Sequence, residues 1–323
     1  MNTMGDTNNT DHRQDYDVVI VGGGAAGLSA ALMLGRARRS VLVVDARAPR
    51  NAKAGHMHGY LSRDGMPPLE LLEHGRDEVL SYGSVIVTDY AEKAEQTAEG
   101  FRVTLASGCV ATGRQLLVTT GLTDVLPDVP GLAELWARDV HVCPYCHGWE
   151  VRDTALATLA TGPMSTHHTL LIRQWSEDLV YFLNGHPLED ADRAKLTARG
   201  VRIEERPVQR LVAEDDRLKA IELTDGTLIP REGVFLVPRF EPNSTLLDAL
   251  GCEKDPETGW LKTGPAGRTS VPGVWAAGNV ADPTAGVIAA AGAATATAAQ
   301  INAALVEADV EADVAAALAA AEG

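Results

Sequence analysis

The stretch "DVVIVGGGAAGLSAALMLGRARRSVLVVDA", residues 17–46, decides how this chain folds. Asp17 to Val21 is a short apolar, β-branched run, the composition of a strand buried on both faces of a parallel sheet. Gly22, Gly24 and Gly27 follow in the spacing G-x-G-x-x-G, and "LSAALMLGRA" continues as an amphipathic helix. A second apolar run, Ser40 to Val44, ends on Asp45. Each residue type has a physical task. Gly22 permits a tight turn, Gly24 lets backbone approach a pyrophosphate, and Gly27 lets the helix pack close to the strand. The first N–H groups of the helix then meet the phosphates, and Asp45 accepts hydrogen bonds from a ribose. Together these features predict a dinucleotide-binding βαβ unit.

Beyond it, "SVIVTDYAEKAE", "GFRVTLASG" and "RQLLVTTGL" read as short strands separated by turn signals, the last ending at Thr120-Gly121. Near the C-terminus "GVWAAGNVADP", residues 273–283, is another buried strand ending in a glycine turn. An alanine-rich helical segment follows, and its first turn, after Gly278-Asn279, suits an anionic group. Residues 123 to about 243 form a second βα-like passage, read as a domain inserted into the first. The expected organisation is a disordered tail (1–15), a first part of the dinucleotide domain (16–123), the insert (124–243) and a second part (244–323). The fold class is α/β, with two Rossmann-like three-layer domains, the first of them discontinuous.

The 323 residues are 45% hydrophobic and 22% charged, as in a globular protein of two domains. Twenty-eight Lys and Arg against 44 Asp and Glu give a formal charge of −16. Such a surface repels nucleic-acid backbones and anionic lipid, so neither is an expected partner. The N-terminus lacks the basic and apolar regions of a secretory signal, and no window reads as a bilayer span, so a cytoplasmic location is expected. Structural disulfides are rare there. The pair in "VHVCPYCHGWEV", residues 140–151, is therefore catalytic or metal-binding. Four chemistries use such a motif: covalent haem attachment, a zinc knuckle, a thioredoxin-fold redox pair, and a disulfide lying against a flavin. Haem attachment takes place outside the cytoplasm. Zinc needs four ligands, and Cys109 and Cys252 have no companions, so no metal site is expected.

The order of features resembles the thioredoxin-reductase-like branch of the FAD-dependent pyridine nucleotide–disulfide oxidoreductases. There an FAD domain is split by a pyridine-nucleotide domain carrying the redox CxxC. "VVIVGGGAAG", "LLVTTGL", "CPYCHG" and "VWAAGNVAD" carry the resemblance, which covers residues 16 to about 310. Within the branch, "CPYCHGWE" with "RNAKAGHMHGYLSRDG" (50–65) is most similar to small-molecule dithiol oxidases of the gliotoxin and holomycin type. A thioredoxin fold is set aside, because here the CxxC comes about 120 residues after a dinucleotide fingerprint. The resemblance implies FAD as cofactor and a Cys143–Cys146 redox disulfide against the flavin. It places cofactor contacts at Gly22, Gly24, Ala26, Gly27, Asp45, Ala46, Arg50, Asn51, His58, Tyr90, Thr120, Gly121, Gly278, Asn279, Val287 and Ile288. It also implies a homodimer.

Three departures from the reductase pattern redirect the expected chemistry. After "TALATLA" only Gly162 of a second fingerprint remains, with Met164 and His167 at the other glycine positions. After "LVYFL", where basic residues would hold a 2′-phosphate, stand Glu189, Asp190 and Asp192. The residue after the second cysteine is His147, where reductases place Asp. Asn279 stands where the C-terminal FAD motif usually has Asp, its amide still able to bond the cofactor. The expected activity is therefore oxidation of a small natural-product dithiol, with antibiotic biosynthesis as the setting. His147 acts as base, the Cys143–Cys146 pair accepts electrons, FAD relays them, and O2 leaves as H2O2. Pro144, Tyr145 and Trp149 are assigned to the substrate pocket, with core packing as the other reading of Trp149. His167, His168 and His186 are expected in surface or loop positions, His56 and His58 in a structural role against FAD, and Cys109 and Cys252 as part-buried thiols. The rival readings are an NADPH-dependent disulfide reductase and a flavoprotein redox sensor without turnover.

Overall fold

The computed structural model describes residues 15–322. The expected N-terminal tail lies outside them, apart from Asp15, which opens the first strand, Asp15–Val21. The described residues divide into two compact units: those up to 49, 72–122 and those from 242 on form one, and residues 50–71 with 123–241 form the other. The segment 50–71, which the sequence places with the first part of the dinucleotide domain, thus clusters with the insert. Its side chains find partners there, Arg50 on Asp124 and His58 on Glu150.

The first unit is built on a seven-stranded sheet. Asp15–Val21 runs parallel to Val41–Asp45 on one side and to Val110–Val118 on the other, with Val85–Thr88 and Val274–Ala276 extending the parallel part. Gly100–Leu105 and Ala91–Thr97 continue it antiparallel. The central strands read as unbroken apolar runs because both faces are covered. Val18 and Ile20 pack with Leu34 of the helix Ala25–Arg36 and with Ala294, Ala298, Ile301 and Leu305 of the C-terminal helix. Val19 and Val21 pack on the other face with Phe101, Val103 and Leu247.

That C-terminal helix, Val287–Glu322, meets the length and hydropathy of a membrane span, which the sequence reading did not find. Its buried residues up to Leu305 recur at helical spacing and belong to the core, so alanine content accounts for the hydropathy. It also begins eight residues after Asn279, later than expected, because Gly278–Val280 is a separate 3-10 turn.

The second unit repeats the plan. Its five-stranded sheet runs Arg202–Glu204, Leu179–Phe182, Leu156–Leu159, Gly233–Phe235, Val140–His141, all parallel. An antiparallel ribbon, Val208–Glu214, Arg217–Leu223 and Leu228–Pro230, packs against one face. The helices Ser165–Ile172 and Asp190–Ala198 bring Ile172 and Leu196 into the cluster on the other face. The short strand Val140–His141 is anchored by Asp139, which is 1% exposed and accepts hydrogen bonds from Arg217 Nε and from the backbone N–H of Leu218. Arg217 is itself largely exposed, so it brings a solvent-screened charge to a buried carboxylate that the Leu218 amide also satisfies. This strand leads directly into the CxxC.

Candidate active site

In the first unit the glycine turn is built as the spacing requires. Gly22 has φ +107°, which favours glycine, and a Cβ on Gly27 would lie 1.8 Å from the carbonyl oxygen of Gly22. Nothing lies within 4 Å of a Cβ built on Gly24, so the cradle is open there. The helix Ala25–Arg36 has no side-chain cap, which leaves its first N–H groups free for an anion. Thr119, which sequence reading missed, donates through Oγ1 to the carbonyl of Gly22 at 2.8 Å and locks the turn. Asp45 is buried and accepts from Arg47 N at 3.1 Å and Arg76 Nη2 at 3.3 Å, so its carboxylate is held in place. Arg76 gave no signal in the sequence because it is far from any motif.

The Thr-Gly turn is clasped across the unit. Thr120 donates through Oγ1 to the carbonyl of Asn243, and Asn243 donates through Nδ2 to the carbonyl of Thr120. Gly278, at φ +73°, brings its backbone against Ala26, placing the C-terminal motif at the start of the fingerprint helix. The Asn279 amide nitrogen donates to the carbonyls of Asp282 and Ala285. A carboxylate could not donate these bonds, which accounts for Asn in place of Asp. Val287 is half-buried, and Ile288, Ala46 and Tyr90 are exposed. This cradle fits the adenosine pyrophosphate of FAD: open backbone at Gly24, uncapped helix amides and a fixed acid for the ribose.

In the second unit Cys143 and Cys146 flank the first turn of the short helix Pro144–His147. Both are free thiols, with Sγ atoms 2.8 Å apart, close enough to join as a disulfide after a small rotation. Their environments differ. The Cys143 thiol is lowered to about 7, chiefly by the hydrogen bond from Cys146, helped by backbone N–H groups of Cys146 and Tyr145 and by the Arg50 charge. Cys146 is pushed up, because its proton is shared with Cys143 and because it is partly buried. Arg50 is held by a two-pronged contact with Asp124, 2.7 and 2.6 Å, and lies over the Phe240 ring. Alkylation of the reduced protein should therefore modify Cys143 first. Its rate should rise to half its plateau near pH 7, with Cys146 lagging, as read by peptide mass spectrometry.

His147 is lowered from the ordinary imidazole range, first by burial, with His58 adding to the fall and Glu150 opposing it. It is therefore neutral at neutral pH, the form that accepts a proton. His58 lies between Asp64 and Glu150, with ring nitrogens 3.3 and 3.4 Å from their carboxylates. His141, absent from the sequence reading, stacks on His147 with ring centroids 4.5 Å apart and planes at 17°.

Trp175 was also missed. The Tyr145 ring meets it edge-on at 5.6 Å, and a Cβ on Gly148 would lie 2.8 Å from its Nε1, so glycine lets the CxxC helix pack on it. Trp149 is 66% exposed with Arg152 over its ring, which excludes core packing. Tyr145 is exposed too, whereas Pro144 is buried and shapes the turn without lining a surface. Asn51 is half-buried. Among the thiols, Cys109 is exposed and Cys252 buried, where part-burial is expected for both. Among the described residues no cluster of His, Cys, Asp and Glu could hold a metal ion.

The turn after Leu156–Leu159 is where a second nucleotide would meet the chain. The Ser165 hydroxyl accepts from the backbone N–H of Thr161 at 2.9 Å and of Gly162 at 3.2 Å. Those amides are satisfied internally. Met164 is exposed at this turn, and Glu189, Asp190 and Asp192 gather at the start of the next helix. His168, expected in a surface or loop position, is buried on the helix Ser165–Ile172 and donates through Nε2 to the carbonyl of Val142 at 2.8 Å. That bond fixes the residue before Cys143. His167 and His186 are exposed, as expected.

Residues 16–303 match the family model of the pyridine nucleotide-disulphide oxidoreductases. The chain is 33% identical over 294 residues to a Leptosphaeria maculans protein named thioredoxin reductase sirT, covering 84% of this chain and 89% of that one. It is 32% identical over 285 residues to thioredoxin reductase aclD of Aspergillus oryzae, covering 82% and 88%. Among solved structures it is similar to HlmI, with a TM-score of 0.92 and 49% identity over 95% of this chain and 98% of that one.

Proposed function

The chain belongs to the pyridine nucleotide-disulphide oxidoreductase family, whose members are FAD-binding flavoproteins, and we propose that it works as an oxidase of small-molecule dithiols. It is a thiol–disulfide oxidoreductase by family. The direction of electron flow is the proposal. One observation carries it: the Ser165 hydroxyl occupies the two turn amides that a pyridine nucleotide's phosphates would need. With acids at the following helix, the second cradle is poorly suited to NADPH, and reducing power enters through sulfur.

The residues of the second unit account for the thiol chemistry. Neutral His147 takes the proton from one substrate thiol. The resulting thiolate attacks Sγ of Cys143 in the oxidised pair, forming a mixed disulfide and releasing Cys146 as thiolate. The second substrate thiol gives its proton to the released Cys146 thiolate, whose proton affinity is raised, and attacks the substrate sulfur of that mixed disulfide. The product disulfide closes and Cys143 leaves as thiolate. A thiol lowered to about 7 is a good leaving group, which suits Cys143 to this step. The glycine turn, Asp45 and the Gly278 region would hold FAD, which would supply a two-electron acceptor, with O2 as final oxidant so that dithiol and O2 become disulfide and H2O2. Exposed Tyr145 and Trp149 offer aromatic surface beside the pair, and a homodimer in the cytoplasm serving antibiotic biosynthesis remains part of this reading.

The relatives' names favour the second reading, an NADPH-dependent disulfide reductase. Anaerobic mixing separates the two. A small dithiol such as dithiothreitol should bleach the flavin band rapidly, whereas NADPH, lacking two charge-assisted hydrogen bonds to its phosphates, should bind about 10²-fold more weakly or worse and bleach it slowly. Rapid, complete bleaching by NADPH would reverse the proposed direction.

A further inference from the structure

We propose that His141 is a positioning residue for His147, its buried ring fixing the plane of the base and keeping water from one of its faces. The inference rests on His147 being the base. His141 is 4% exposed, sits in the strand Val140–His141 opposite Phe235, and packs on the Phe235 ring at 5.4 Å. Its own ring lies nearly parallel to that of His147, centroids 4.5 Å apart. Both nitrogens of His141 are buried without a hydrogen-bond partner, as is Nδ1 of His147. With neither nitrogen bonded, His141 acts through its face and its bulk alone.

Two consequences follow for the base. A ring stacked on a rigid strand cannot turn freely, so Nε2 of His147 keeps one orientation without a hydrogen bond at Nδ1. Burial also drives the charged form out of His141, which is lowered to about 3, so it offers an uncharged π face to the imidazolium formed on His147. The groups acting on His147 are Glu150 and His58, with the Cys143–Cys146 dithiol on its own helix. Asp139 and Arg217, paired with each other, act on His141 with opposite sign.

The test is the pH profile of anaerobic flavin reduction by dithiothreitol in wild type, His141→Ala and His141→Phe, with flavin content checked for each. In His141→Ala a water can reach the unpartnered Nδ1 of His147. The acidic limb should then move up toward the ordinary imidazole value, and the limiting rate should fall about tenfold. His141→Phe restores a flat face and should keep the wild-type limb and a rate within about twofold. A wild-type profile in the Ala variant overturns the inference, as does a Phe variant that loses as much as Ala. Should the Ala variant fail to hold flavin, His141→Ser takes its place, with the same expected limb shift and rate loss. If His147→Ala reduces normally the base assignment itself falls, whereas an affected His147→Ala with an unaffected His141→Ala removes only this inference.

Discussion

Serine at position 146 should leave a protein that holds its flavin yet reduces it with a dithiol about 10³-fold more slowly or worse, the scale of losing a covalent catalytic group. Without Cys146 there is no disulfide for substrate to attack, so the electron pair has no entry. Cys143 should remain reactive, because a serine hydroxyl can donate the hydrogen bond that chiefly holds its thiol near 7. Cys146→Ser should therefore trap a stable mixed disulfide at Cys143 when treated with an activated disulfide. Cys143→Ser should be equally slow but should trap far less at Cys146, whose thiol is raised. Stopped-flow absorbance gives the rates and intact-protein mass gives the adducts. Flavin reduction at wild-type speed in either variant would remove the pair from the electron path.

Replacing His147 with alanine should slow dithiol-driven flavin reduction by about 10²–10³-fold at pH 7, the usual contribution of a positioned base. The sign of its pH dependence follows from burial. The folded His147 titrates below the ordinary imidazole value of 6.5, so the wild-type rate should fall only when the pH drops beneath that value. In His147→Ala this limb should vanish. The rate should instead climb toward alkaline pH as the substrate thiol, with a pKa near 8.5–9, ionises unaided. The deficit thus narrows as pH rises. A deficit equal at every pH would assign His147 to packing, since only a base is made redundant by substrate ionisation.

The nucleotide cradle was legible because its demands are local. Gly22, Gly24 and Gly27 answer steric needs within one βα turn, and Asp45 ends the next strand, so spacing along the chain is spacing in space. The redox pair is local in the same sense, being one turn of helix. The loss of a second fingerprint at Met164 and His167 could likewise be seen, but what replaced it could not. Ser165 and His168 look ordinary in sequence: the serine closes its own turn through Thr161 and Gly162, and the role of His168 appears only where its helix meets Val142.

By itself, then, the sequence determined an α/β chain with one intact dinucleotide turn, a degenerate second one, and a CxxC followed by histidine. Tertiary structure alone decided that the Arg50 charge, almost a hundred residues away in the chain, reaches the thiol pair, adding to the Cys146 hydrogen bond that chiefly lowers Cys143. It also decided that segment 50–71 belongs with the insert and that His141 lies against His147. The reason is common to all three. Proton affinity and ring stacking depend on distance and burial across elements far apart in the chain, and no periodicity or motif records them.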